Sequence, residues 1–158
     1  MSEVEAIHII IRYADREVET ISAHEGLIDK HGAVWLGKIG KPLAQPKINI
    51  MNKQIANDIP TFVYLVQKVG QRYETHKGTI DEITRELPTQ KNLIPRYYEQ
   101  QNILQYVSLW LKISKLTKLD KNGLMRLKVA NTGTAVPDAL STSMAGFFVV
   151  KEGRGMHI

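Results

Sequence analysis

From Val107 to Leu116 the chain alternates with period two. Val107, Leu109, Leu111 and Ile113 fall on one side, and Ser108, Trp110, Lys112 and Ser114 on the other. That period is the mark of a strand with one face on a core and one face turned outward. Any fold this chain adopts must therefore contain a sheet with two unlike faces. The pattern also sets Trp110 among polar neighbours, opposite the aliphatic residues. Leu124 to Val129 alternates in the same way, with Arg126 and Lys128 sharing a side.

Other stretches of strand character surround this one. Ile7-His8-Ile9-Ile10-Ile11 is almost continuously β-branched, which suits a buried strand. Thr61-Phe62-Val63-Tyr64-Leu65-Val66 is rich in β-branched and aromatic residues, and Gly70 ends it. Tyr73 to Leu87 is polar, but Thr-rich spacing around Ile80 and Ile83 favours a strand, and Phe147 to Val150 reads as a closing strand. Helices are expected in three places. Ser22 and Glu25 have capping-box spacing, and Gly32 suits a left-handed helix end, so a helix of about nine residues precedes Trp35. A second runs from Ile48 to Ala56, before Asp58 and Pro60, and Pro137 to Ser143 forms one or two turns. Pro88 to Pro95 is a loop. The irregular strand spacing lacks a βαβ rhythm. It points to an α+β fold, a small mixed or antiparallel β-barrel flanked by helices. Residues 1–152 are expected as one domain, with 153–158 a disordered tail.

A chain of 158 residues buries a core without covalent staples, and this one has no cysteine. Disulfide scaffolds, thiol catalysis and cysteine-held zinc or iron–sulfur sites are thereby excluded. The N-terminus is acidic without an apolar signal core, and no segment approaches the length of a membrane span. A cytoplasmic location is expected. The net charge of +5 permits nucleic-acid binding without requiring it. Lys38, Lys41 and Lys47 share a stretch without acids, and Lys112, Lys115, Lys118, Lys121, Arg126 and Lys128 have only Asp120 among them.

Candidate binding residues cluster around the run from Gly32 to Pro42. It sets Trp35 in a short apolar strand that leads into a loop with Gly37, Lys38, Gly40 and Lys41. An aromatic ring beside a flexible cationic loop suits stacking a base and holding a phosphate; the same ring equally suits a core. Trp110 is the natural partner, and Tyr64, Tyr97 and Tyr98 either join the two tryptophans or pack with a hydroxyl at solvent. Asn49 and Asn52 match an adenine edge, or a cap and a surface position. Ser141, Thr142 and Ser143 offer hydroxyls to a base or simply end a helix. Lys112 and Arg126, with Lys38 and Lys41, are the candidate phosphate contacts. His24 and His31 lie seven residues apart without HExxH spacing or a third ligand, so a solvated helix face is the expectation. His76 sits in a stretch of scattered charge. There is no P-loop, GxGxxG or GxSxG motif. No catalytic residue, metal or cofactor is expected.

The order of these pieces resembles the PUA-like superfamily, and within it the EVE and YTH-like readers of modified bases. The resemblance runs over residues 6–150. It rests on Ile7–Ile11, Val34-Trp35-Leu36-Gly37-Lys38, Phe62-Val63-Tyr64-Leu65, Ile94-Pro95-Arg96-Tyr97-Tyr98, Ser108–Ile113, Leu140–Ser143 and Phe147-Phe148-Val149. It implies a non-catalytic domain that encloses a flipped, modified base in an aromatic pocket, in DNA, as the recognition part of a modification-dependent restriction or defence system. A larger ATPase or nuclease polypeptide would then be its partner. The same resemblance leaves room for an RNA reader of methyl-adenine or a small nucleotide-acting enzyme. A protein-interaction module is a further alternative.

Overall fold

The computed structural model describes residues 6–14, 19–120, 123–130, 132–142 and 147–152. Ser143 and the expected tail at 153–158 lie outside them. In chain order the elements are β1 (His8–Arg12), α1 (Thr20–His31), β2 (Val34–Ile39), α2 (Gln45–Ala56), β3 (Phe62–Val69) and β4 (Arg72–Thr84). Then come α3 (Tyr97–Gln100), β5 (Val107–Lys118), β6 (Leu127–Val129), α4 (Val136–Thr142) and β7 (Phe147–Glu152). No helix among the described residues is long and apolar enough to cross a membrane.

Helix α1 begins earlier than the capping-box spacing implies. Its N-cap is Glu19, without a side-chain cap, and Ser22 lies inside the helix. The earlier start lets Ile21 join Leu27 and Ile28 against the core, and burial of an apolar stripe outweighs one cap. Gly32 does end the helix, at φ +85°, and its N–H donates to the Ile28 carbonyl. Helix α2 also starts early, at Gln45, because Pro46 fits the first turn, where its missing N–H costs nothing. Strand β6 is shorter than the alternation suggested. Leu124 to Arg126 turn instead, and the Leu127 N–H donates back to the Leu124 carbonyl. Strand β5 runs on to Lys118 because the long strand β4 pairs with it along its length.

The seven strands form one sheet in the order β2-β5-β4-β3-β1-β7-β6. Only β1 and β3 run parallel, and every other neighbouring pair is antiparallel. The fold is α+β, with the sheet curled like a barrel, β2 and β6 as its edge strands and a single bridge from Lys128 of β6 to Ala135. The curl is visible in the core: Val34 and Leu36 of edge strand β2 share one cluster with Ile9 of β1, Leu65 of β3 and Leu111 of β5, and Met51 of α2 joins it. The alternation along β5 reads correctly. Leu109, Leu111 and Ile113 enter this inner core. A second cluster forms on the outer face of β1, β3 and β7, where Ile10, Tyr64 and Val150 pack under Val136 and Leu140 of α4.

Helix α2 is tied to the sheet by Gln54, which is buried. Its Oε1 accepts from the Ile7 N–H at 2.8 Å, and its Nε2 donates to the Ile7 carbonyl and the Thr61 hydroxyl, each at 3.0 Å. A side-chain amide thus completes the backbone pairing just before β1.

Candidate nucleic-acid interface

Outward-facing residues of β2 and β5 meet in a third, aromatic cluster. Trp35 and Gly37 pair opposite Lys112 and Trp110, so both indoles lie on the same face of the sheet. The segment from Leu93 to Val107 folds over them and contributes Tyr98. Each indole is only 2% exposed. The Trp35 Nε1–H donates to the Gln90 side chain at 3.1 Å. The polar neighbours of Trp110 in sequence suggested an outward, accessible ring; the covering segment closes it off. The two tryptophans converge, but as core.

Gly37 shows why this closure requires glycine. It lies within β2, not in a loop, and a Cβ there would stand 3.0 Å from Tyr98 Cε1 and from both Val107 methyls. The bare backbone lets the Tyr98 hydroxyl accept from the Gly37 N–H at 2.8 Å. The hydroxyl also lies 3.3 Å from His24 Nε2. His24 Nδ1–H donates to the Thr20 carbonyl at 2.7 Å, so Nε2 is the acceptor and Tyr98 the donor. His24 is therefore a buried neutral strut between α1 and α3, contrary to the expected solvated face. Burial lowers its pKa to about 4. The same burial raises that of Tyr98 to about 12. No His/Cys/Asp/Glu group able to hold a metal occurs among the described residues.

A cavity of about 630 Å³ opens where edge strand β2 approaches β1 and β7, with α3 along one side. Its aromatic wall is Tyr13, Tyr97, Tyr98 and Phe147, and its apolar floor is Ile11, Leu36 and Leu65. Tyr97 stacks on Tyr98 with ring centroids 4.4 Å apart. Three cations line it: Arg12, Lys38 and Lys41. Lys38 shares the inward side of β2 with Val34 and Leu36 and is buried. Its ammonium donates to the Lys41 carbonyl and lies 3.9 Å from the Phe147 ring centroid. Burial, with Lys41 nearby, lowers its pKa. Arg12 donates through Nη2 to the Leu140 carbonyl, while its buried Nε has no hydrogen-bond partner among the described residues. Lys41 is exposed on the loop after β2.

Of the residues read from the sequence, this cavity unites Tyr97, Tyr98, Lys38 and Lys41. Trp35 and Trp110 do not line it. Lys112 sits with its ammonium 5.8 Å from the Trp35 ring centroid. Asn49 is exposed on α2, where it accepts from Gln45 at 2.9 Å. Ser141 falls in α4, and its side chain lies outside the described part of the structure. Tyr64 and Arg126 line a separate cavity of about 650 Å³ on the outer face, with Asp120 and Glu152 also in its wall. Those carboxylates oppose an anionic ligand, whereas among the described residues no carboxylate lines the first cavity. Arg12, Tyr13 and Phe147 were missed. Arg12 and Phe147 lie on strands, and Tyr13 just after one, that meet β2 only through the curl of the sheet, and sequence spacing carries no trace of that.

Among known proteins, the Pua-like family model matches residues 9–133. No curated protein and no solved structure matches the chain.

Proposed function

This chain belongs to the Pua-like family, and on that premise we propose that it is a non-catalytic nucleic-acid-binding domain. It takes a modified, flipped-out base of DNA into the cavity between β2, β1, β7 and α3. The observation that carries this reading is the convergence of Tyr13, Tyr97, Tyr98 and Phe147 with Arg12, Lys38 and Lys41 around one cavity. Its volume of about 630 Å³ lies within the range of small-ligand sites.

The energetics are consistent with that use. Base–aromatic stacking contributes about 1–3 kcal/mol per base. Extruding a base from a duplex costs a few kcal/mol, and phosphate contacts offset it. A methyl group on the base adds apolar surface for Ile11, Leu36 and Leu65 to cover. Lys41, exposed at the rim, is the phosphate contact. Lys38, already hydrogen-bonded within the protein, is a fixed positive charge in the wall.

The test compares duplex oligonucleotides that differ only in one methylated base. The expected result is tighter binding of the methylated form. Tyr97→Ala should weaken that form about 10- to 100-fold, the equivalent of one stacked base. Equal affinity for the two oligonucleotides, or an unaltered preference in a folded Tyr97→Ala protein, would overturn the reading.

A further inference from the structure

Beside the base cavity lies a second cleft, of about 610 Å³, between the C-terminal half of α1 and the segment leading into α3. Four basic side chains line it: Lys30 and His31 from α1, and Lys91 and Arg96 from the covering segment. Among the described residues, no carboxylate lines it. Asp29 and Glu99, on the same helices, are absent from its wall. All four basic residues are exposed, and none pairs with a carboxylate among the described residues. Two of them sit in the last turn of α1, where cations oppose the helix dipole. That placement explains Lys30 and His31 locally. It does not explain why Lys91 and Arg96, from a separate segment, face the same cleft.

Tyr97 lines both this cleft and the base cavity. Tyr97 therefore joins an aromatic cavity to a basic cleft, neither with a carboxylate in its wall among the described residues. We infer that the cleft carries the phosphodiester backbone of the nucleotides flanking the base held on the other side of Tyr97. A polynucleotide is the ligand whose chemistry changes in this way from flat and apolar to anionic and linear within one residue's width. The direction of the strand rests on the base-cavity reading; the phosphate-binding character of the cleft does not.

The two parts are separable by salt dependence. Neutralising a phosphate contact lowers the slope of log K against log[salt] by about 0.7–0.9, without altering base preference. Binding of one methylated and one unmethylated oligonucleotide is measured across a salt series. The proteins compared are the unaltered chain, Lys91→Gln, Arg96→Gln, the double variant, and Lys68→Gln at the β3–β4 hairpin. The expected result is a slope reduced by about one contact in each single variant and about two in the double variant. The methylated-to-unmethylated affinity ratio should stay constant, and Lys68→Gln should leave the slope unaltered. A reduced slope without any methyl preference supports the cleft and removes the base-cavity reading. A methyl preference with unaltered slopes does the reverse. An equal effect from Lys68→Gln, or no oligonucleotide binding at all, overturns the inference.

Discussion

Acid should loosen this protein through His24. The ring is completely buried, and burial lowers its pKa from 6.5 to about 4. Protonation would put a proton on Nε2, which now accepts from Tyr98. The hydroxyl would then have to turn its own proton toward the Gly37 carbonyl, 3.5 Å away. In the unfolded chain the imidazole titrates at its ordinary value, so the unfolded state binds the proton first as pH falls. Stability is therefore full above about pH 6.5, falls as pH drops toward about 4, and levels off below. The full loss is about 3 kcal/mol, of which about 2 kcal/mol is gone by about pH 5. His8, lowered to about 4 mainly by burial, adds a loss of the same sign. A His24→Gln protein isolates the effect. Urea unfolding from about pH 7 to 5 should show a pH slope shallower by up to about 1.4 kcal/mol per unit than that of the unaltered chain. The comparison holds even if the substitution lowers stability uniformly. An unaltered slope, or an NMR titration of His24 near its ordinary value, would refute the argument.

Two further substitutions test the covered aromatic face. Gly37→Ala should cost about 1–3 kcal/mol in urea unfolding, because its methyl meets the Tyr98 ring and Val107 at 3.0 Å; full wild-type stability would show that the ring is free to move. Trp110→Ala should cost about 3–5 kcal/mol. In the fraction that remains folded, oligonucleotide affinity should be unaltered, and a selective loss of binding at wild-type stability would return the indole to the ligand site.

The strands of the inner core were legible from local residue choice, β-branched runs in β1 and β3 and a period of two in β5. Leu109, Leu111 and Ile113 announce their face through the residues between them, and Gly32 marks a helix end through its own backbone freedom. The start of α1 was not legible, because Ser22 and Glu25 satisfy a capping rule that burial of Ile21 overrides. The candidate site was half legible. Tyr97, Tyr98, Lys38 and Lys41 were marked as aromatic and basic residues beside turns, and the cavity gathers them. Trp35 and Trp110 were marked as well, one by the loop it leads into and the other by polar neighbours, yet the segment from Leu93 to Val107 covers them. Whether an outward face is wet or covered depends on how the chain outside the strand folds back over it, and no period within a strand encodes it.

The sequence by itself determined the α+β class, the two unlike faces of the long strand and a basic, cysteine-free chain. These follow from neighbours within a few residues. Only the tertiary structure decided which aromatic rings face a cavity. The curl of the sheet sets Phe147 of β7 against Lys38 of β2, across more than a hundred residues of chain. The cover over β2 and β5 turns both indoles into core. Each outcome is set by packing between separate elements, where one ring's burial depends on everything folded over it.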